Sequence, residues 1–266
     1  MPAMNEIRQN ARICAKTVLA ENIYRLSFET ALCSDAVPGQ FVMVYPPDNS
    51  SLLGRPLCIE DASPQDFSIV FRAVGYGTRA IASCEIGKEL AVAGPFGNGY
   101  PTDDKTTEGK NIALLGGGLG IPSLYYLAKK LCTHKSRITA ILGYRDSSMK
   151  HFLLDDFAAL GINTLYTTDD GSDGLHGNVL DVLKSERIPT DLIYACGPMP
   201  MLSAVKSHAS EINIPAYISL EEHMACGAGV CLGCVVKTEL VDAHSNVTNA
   251  RVCTEGPVFE ADKVQI

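Results

Sequence analysis

The first hundred residues alternate between short apolar segments and polar turns. Val, Ile, Phe and Tyr concentrate in runs of six to nine residues, with turn-forming pairs such as Pro38-Gly39 and Gly94-Pro95 between them. The runs are 11–19, 22–30, 40–46, 67–74 and 88–93. Short strands at this spacing predict a small antiparallel barrel or sandwich over residues 1–103. A short helix is predicted within it at 78–84.

The hydrophobic period changes after a polar segment at 101–110, which predicts a domain boundary. Beyond it, apolar runs alternate with stretches of helical period. The predicted strands are 111–115, 137–143, 163–168, 191–196 and 215–220, and the predicted helices are 124–132, 149–160, 178–184 and 199–211. This alternation is typical of a doubly wound parallel sheet, expected here over residues 108–220. A small C-terminal subdomain is expected at 221–266.

Two turns of the predicted sheet have the composition of a nucleotide site. A glycine-rich turn lies between the first strand and its helix, and a second turn follows a later strand. Helix N-termini and the carboxyl edge of a parallel sheet favour phosphate groups, so the turns could flank one dinucleotide. The alternatives are turns without a ligand and a buried small apolar role for Cys196. The candidate residues are Gly116, Gly117, Gly118 and Gly120, and Cys196, Gly197, Pro198 and Met199.

Four cysteines near the end of the chain have a spacing that indicates an iron–sulfur site. Cys226, Cys231, Cys234 and Cys253 follow the pattern C-x4-C-x2-C with a fourth cysteine after eighteen residues. This is the plant-type spacing for a [2Fe–2S] cluster. Small residues in the loop let the backbone wrap closely and aim N–H groups at sulfur. Structural zinc is one alternative, and disulfides or buried thiols are another.

Composition and charge narrow the classes of partner. The 266 residues carry a formal net charge of −8, with 46% hydrophobic and 20% charged residues, which fits a soluble globular protein. The sequence has no Lys/Arg-rich run, so nucleic acid is not an expected partner. It has neither an apolar run of the roughly 20 residues that a transmembrane helix needs nor an apolar leader. We therefore expect no membrane association and a cytoplasmic location.

Two motifs of the predicted barrel have residues that could bind a phosphate group. Arg55-Pro56-Leu57-Cys58 presents an arginine that can clamp a phosphate, although a solvent-facing edge arginine would have the same sequence. Gly75-Tyr76-Gly77-Thr78 offers a small backbone and a hydroxyl, as anion sites do, although alone it is only a turn. Together with the two sheet turns, these motifs resemble the ferredoxin–NADP reductase superfamily. In that superfamily the barrel binds a flavin and the α/β domain binds a nicotinamide dinucleotide.

The C-terminal motif narrows the resemblance. Segments 221–234 (EEHMACGAGVCLGC) and 251–259 (RVCTEGPVF) resemble the electron-transfer subunits of type B dihydroorotate dehydrogenases. The resemblance implies that the two sheet turns approach NAD and that the four cysteines ligate the cluster. It implies FAD contacts from Arg55, Pro56, Leu57, Cys58, Val70, Phe71, Arg72, Gly77 and Thr78. One departure is Cys58, since the family usually has a hydroxyl there and a thiol is a weaker donor.

The remaining cysteines have no chemical role in this interpretation. Cys14, Cys33, Cys84 and Cys132 are therefore expected to be core residues.

The implied activity is electron transfer in pyrimidine (UMP) biosynthesis. Hydride chemistry moves two electrons and iron–sulfur chemistry moves one, so a flavin belongs between NAD and the cluster. The expected partner is an FMN-containing dihydroorotate dehydrogenase catalytic subunit, in a heterotetramer of two of each chain. Rival hypotheses are a subunit of an NADPH-linked ferredoxin oxidoreductase or a sulfhydrogenase, and a zinc-stabilised nucleotide-sensing module without turnover. Arg145 could bind a 2′-phosphate, but the adjacent Asp146 favours NAD.

Overall fold

A closed antiparallel barrel forms the N-terminal part of the computed structural model, which describes residues 8–47, 52–241 and 246–266. Its strands are β1 (Arg8–Ala20), β2 (Ile23–Glu29), β3 (Phe41–Val44), β4 (Arg55–Ala62), β5 (Asp66–Arg72) and β6 (Glu89–Phe96). They are hydrogen-bonded in the order β1-β2-β5-β4-β3-β6, and helix α1 (Tyr76–Ser83) follows β5. Phe28, Phe67 and Ile69 are buried in the barrel interior. The expected barrel is confirmed.

Strand β4 is the part of the barrel that the apolar pattern does not reveal. It contains Pro56 and the acidic Glu60, both of which are unfavourable inside a sheet. Glu60 is only 1% exposed, but Arg25 Nη2 and Ser68 Oγ donate to its carboxylate at 2.6 and 2.5 Å. Burial raises the pKa of Glu60, and the nearby Arg25 opposes that rise. These partners compensate for the burial of the Glu60 carboxylate, so the segment forms a strand although its sequence does not favour one.

A mostly parallel sheet with helices on both faces forms the second part. Its strands are β7 (Asn111–Gly117), β8 (Arg137–Tyr144), β9 (Asn163–Thr168), β10 (Leu175–His176), β11 (Leu192–Cys196) and β12 (Ala216–Ser219). The helices are α2 (Asp104–Thr107), α3 (Ile121–Leu131), α4 (Leu154–Ala159), α5 (Val179–Ser185) and α6 (Met199–Glu211). Ile112 and Leu114 pack with α3, while Ala113 and Leu115 pack with α5 and α6. This alternation confirms the doubly wound arrangement.

The predicted helix at 149–160 begins later in the structure. A 3-10 turn occupies Ser147–Met149, and α4 starts only at Leu154. Between them Lys150, His151 and Leu153 have φ values of 50°, 45° and 68°. This left-handed backbone interrupts a continuous helix.

The C-terminal segment contributes both a hairpin and a sheet strand. Strands β13 (Val235–Lys237) and β14 (Asn249–Arg251) pair with each other. Strand β15 (Val258–Glu260) then pairs antiparallel with β12, so the sheet order is β10-β9-β8-β7-β11-β12-β15. The segment after the cysteine loop is thereby anchored to the edge of the parallel sheet. In the described part of the chain, every helix is too short or too polar to cross a membrane.

Polar contacts join the barrel to the sheet. Arg25 Nη2 donates to Asp156 at 3.0 Å, and Lys129 Nζ donates to Asp61 at 2.6 Å. Helix α3 also packs along β4. These contacts hold the barrel against helices α3 and α4, which flank the parallel sheet.

Candidate functional site

An arginine and a helix N-terminus meet where β4 approaches α1. A methyl group added to Gly77 would lie 2.5 Å from Nε of Arg55, so the first turn of α1 packs directly on the guanidinium. Arg55 Nη1 also donates to the carbonyl of Leu53 at 2.9 Å. The Thr78 hydroxyl accepts from the N–H of Gly75 at 3.1 Å and shapes the turn. A guanidinium beside a helix N-terminus is a favourable place for a phosphate group.

A cavity of about 230 Å³ lies between the barrel and the sheet, next to this motif. Burial raises the pKa of the Cys58 thiol well above its ordinary value, and the nearby Cys196 and Glu221 raise it further. Cys58 is therefore a neutral thiol that can donate only weakly. The lining includes Pro56, Leu57, Cys58, Val70, Phe71 and Arg72 from the predicted set. A mostly apolar slot with a few polar groups suits a flat ring system such as a flavin.

The two glycine turns face a larger cavity, of about 620 Å³. They are in direct contact, because a methyl group added to Gly120 would lie 2.3 Å from the carbonyl group of Cys196. The lining includes Gly117, Gly118, Gly120, Gly197 and Pro198 from the predicted set. Gly116 and Cys196 are buried behind the turns, and Met199, which is 40% exposed, lies outside the lining. The fold thus brings two distant turns to one dinucleotide-sized cavity.

The two cavities share a wall. Arg72, Leu119 and Glu221 line both of them. Burial raises the pKa of Glu221, which follows β12 at the carboxyl edge of the sheet. The sequence assigns no role to Glu221 or Leu119, although Glu221 directly follows a predicted strand and begins the 221–234 segment. Because the cavities adjoin, rings held in them would be neighbours, as hydride transfer between them requires.

An ion pair marks the far side of the larger cavity. Arg145 lines this cavity, and its Nε donates to Asp146 at 2.8 Å. Hydrogen bonds from Ser148 and Arg145 lower the pKa of Asp146 to about 2. Arg145 is therefore held by a carboxylate that stays negative at neutral pH and would repel a 2′-phosphate.

The cysteine loop brings its four thiols together, and the stronger interactions lie within two pairs. Cys226 interacts with Cys231, and Cys234 interacts with Cys253. Cys234 and Cys253 are buried, whereas Cys231 is exposed. Within residues 8–47, 52–241 and 246–266, no three His, Cys, Asp or Glu side chains form a group that would hold a single metal ion. Two pairs suit a two-iron cluster, in which each iron takes two of the four thiolates.

Backbone N–H groups are directed at the sulfur atoms. Sγ of Cys226 accepts from Ala228, Val230 and Cys231 at 3.4, 3.3 and 3.4 Å. Sγ of Cys253 accepts from Gly229 at 3.2 Å. Burial raises the pKa of the Cys226 thiol, but these donors outweigh it and lower the pKa to about 6. The loop therefore stabilises the thiolate of Cys226, the form that binds iron, whereas burial and the neighbouring Cys234 raise the pKa of Cys253 to about 12. Four thiols with N–H donors directed at them are a donor set that fits a [2Fe–2S] cluster.

The expectation that the remaining cysteines are core residues is wrong for two of them. Cys33 and Cys84 are buried, but Cys14 and Cys132 are exposed. Ala11 and Ile13 take the inward positions of β1, so strand alternation turns Cys14 outward. Cys132 follows the last turn of α3.

The fold and the adjoining cavities define a flavin- and nucleotide-linked reductase of the ferredoxin–NADP reductase type. A solved chain of an NADH-dependent reduced ferredoxin–NADP oxidoreductase, studied for flavin-based electron bifurcation, superposes with a TM-score of 0.83. It is 29% identical, and the match covers 96% of this chain and 89% of that one. A model of the iron–sulfur cluster binding domain of dihydroorotate dehydrogenase B matches residues 221–265.

Curated relatives match nearly the whole chain. The dihydroorotate dehydrogenase B (NAD(+)) electron transfer subunit of Lysinibacillus sphaericus is 38% identical over 262 residues, which are 97% of this chain and 99% of that protein. The same subunit of Shouchella clausii is 38% identical over 256 residues, covering 95% and 96%. The chain belongs to the family of dihydroorotate dehydrogenase B electron transfer subunits.

Proposed function

We propose that this chain carries electrons from a dihydroorotate dehydrogenase catalytic subunit through a [2Fe–2S] cluster and FAD to NAD⁺, in pyrimidine biosynthesis. The observation that carries the proposal is the shared wall of the two cavities beside a loop of paired cysteines. When bound, FAD exchanges one- and two-electron transfers, which is why it belongs between cluster and nucleotide. Free thiols at all ten cysteines suit the reducing cytoplasm, which is the proposed location.

Each group of residues would bind a different cofactor. Arg55 and the first turn of α1 would bind the FAD phosphates, while the smaller cavity would hold its ring. Gly117, Gly118, Gly120, Gly197 and Pro198 would hold NAD against that ring. The cysteines Cys226, Cys231, Cys234 and Cys253 would ligate the cluster. Enclosure by both domains would keep water from the face where hydride is transferred.

The cysteine loop would also contact the catalytic partner. Val230 and Leu232 flank the exposed Cys231 and are themselves 81% and 64% exposed. Exposed apolar side chains around a redox centre suit a protein interface, where a one-electron donor must come close. The inner side of the loop is closed, since a methyl group added to Gly227 would lie 2.8 Å from the Met43 side chain of β3. The partner would carry FMN, with two copies of each chain in the complex.

Replacing Cys231 by serine tests the relay. We expect Cys231→Ser to abolish NAD⁺ reduction by dihydroorotate in the reconstituted complex, because the path through the cluster is cut. NADH oxidation by an artificial acceptor should persist, because both cavities are intact. Cys14→Ser changes another exposed thiol, on the barrel, and is the matched control. Survival of both activities in Cys231→Ser would contradict the relay.

An absorption spectrum of protein purified without oxygen tests the cofactors directly. Flavin bands with broad thiolate-to-iron charge transfer are expected. A colourless protein containing zinc would instead support the nucleotide-sensing alternative, which the relatives do not favour.

A further inference from the structure

An arginine–glutamate pair lies directly behind the cysteine loop. Arg251 ends β14, two residues before Cys253. Its Nη2 donates to Oε1 of Glu255 at 2.6 Å, and its Nε donates to Oε2 at 3.0 Å. Oε2 also accepts from the Arg251 backbone N–H at 2.6 Å. The carboxylate therefore fixes both the plane of the guanidinium and the backbone that carries it.

The same guanidinium reaches across to the cysteine loop. Arg251 Nη1 donates to the carbonyl of Gly229 at 3.2 Å. Gly229 has a φ of 77°, in the left-handed region, and a methyl group added to it would lie 2.8 Å from the Thr254 side chain. Arg251 thus ties the loop that carries Cys226 to the segment that carries Cys253.

This contact controls where one N–H group points and anchors the residue that carries a second. In a trans peptide the C=O and the following N–H lie in one plane and point in opposite directions. The carbonyl of Gly229 turned to Arg251 therefore leaves the N–H of Val230 directed at Cys226 Sγ, 3.3 Å away. On its other side, the N–H of Gly229 reaches Cys253 Sγ at 3.2 Å. One guanidinium thus orients the Val230 donor through its peptide plane and anchors Gly229, the residue whose own N–H donates to Cys253.

We propose that Arg251 and Glu255 are positioning residues that hold the Gly229 and Val230 amides on the cluster sulfurs, and so set the stability and potential of the cluster. The inference rests on the proposed cluster site. Groups that orient metal ligands typically change metal affinity by about 10- to 100-fold when they are replaced. Both side chains are about a third exposed, at 35% and 36%, so the lower end of that range applies.

The test compares holoprotein purified without oxygen. Arg251→Gln and Glu255→Gln should each lose iron to a chelator about tenfold faster than wild type. The cluster of Arg251→Gln should have a lower midpoint potential, because weaker N–H···S bonds and the loss of a positive charge both stabilise the reduced cluster less. In Glu255→Gln the loss of a negative charge opposes that shift, so iron loss is the readout for this variant. Arg251→Lys keeps the positive charge but lacks the planar guanidinium. Its rate of iron loss should therefore lie between those of wild type and Arg251→Gln. Glu255→Gln keeps the side-chain shape, so it remains informative if an Arg251 variant folds poorly.

The control is Arg12→Gln, which breaks an arginine–glutamate pair on the barrel surface. It should match wild type in iron loss, potential and FAD content. Iron loss within twofold of wild type in Glu255→Gln and Arg251→Gln, with an unchanged potential in Arg251→Gln, would overturn the inference. A wild-type protein without the electron paramagnetic resonance signal of a reduced [2Fe–2S] cluster would instead overturn the proposed function. The two failures are therefore distinguishable.

Discussion

Replacing Gly77 by alanine tests whether the α1 turn and Arg55 form one phosphate site. The added methyl group would lie 2.5, 2.6 and 2.7 Å from Nε, Nη2 and Cζ of Arg55. Ordinary contact begins near 3.5 Å, so the guanidinium has to move by about 1 Å. Because Arg55 is a flexible side chain, it is expected to move rather than the helix. The perturbation therefore displaces the charge without breaking the fold.

The loss in FAD affinity follows from the bonds that the displaced guanidinium would make. Hydrogen bonds to a charged group contribute about 1.5–3 kcal/mol, and an arginine–phosphate contact is of this type. Misplacing it should weaken FAD binding by roughly 10- to 150-fold. Alanine is favoured over glycine within a helix by about 0.5–1 kcal/mol, so the melting temperature of Gly77→Ala apoprotein should not fall.

The assay is a titration of flavin-free protein with FAD, in which quenching of flavin fluorescence reports binding. The two single variants and the double variant are compared with wild type in a double-mutant cycle. Arg55→Ala alone should weaken binding at least as much as Gly77→Ala. In the Arg55→Ala background, Gly77→Ala should have almost no further effect, within about 0.5 kcal/mol, since the group it displaces is gone. An equal loss in both backgrounds, or no loss in either, would refute the reasoning that Gly77 acts through Arg55.

Two further predictions concern the cavities. Asp146→Asn removes the carboxylate that holds Arg145, and the loss of about 1 kcal/mol of repulsion should raise kcat/KM for NADPH by roughly fivefold. Steady-state kinetics with an artificial acceptor measures this, and an unchanged preference for NADH over NADPH would contradict it. Cys58→Ser replaces a weak donor by a stronger one in the flavin cavity and should raise the FAD midpoint potential in a spectroelectrochemical titration. Arg12→Gln is the control, and an unshifted potential would show that residue 58 does not donate to the flavin.

The local pattern of apolar and polar residues was sufficient to predict much of the fold. The apolar run at 111–115, the glycine turn and the helix after it are adjacent in sequence, so the strand–turn–helix unit is readable from neighbouring residues alone. The cysteine spacing is equally local for three of the four thiols. Strand β4 was missed because its acid, Glu60, is stabilised by Arg25 from β2, a partner 35 residues away. Compensation of that kind leaves no trace in the local sequence.

The candidate site was predictable as motifs but not as cavities. Glu221 and Leu119 line both cavities because β12 and the β7 turn end at the same edge of the sheet, facing the barrel. That meeting depends on how α3 and Arg25 dock the barrel on the sheet. The sequence also gave no sign of the link from Arg251 to Gly229, since 22 residues separate them.

One short segment connects the three proposed redox positions. Glu221 lines both cavities, Met224 lines the smaller one, and Cys226 belongs to the cysteine loop. Five residue steps of extended chain span at most roughly 18 Å, which bounds the distance from the cavity junction to the first proposed cluster ligand. Because Met43 closes the inner side of the loop, a donor protein has to approach from the outside, where Cys231 is exposed. The chain connectivity therefore keeps the first proposed cluster ligand close to the smaller cavity, as the proposed relay requires.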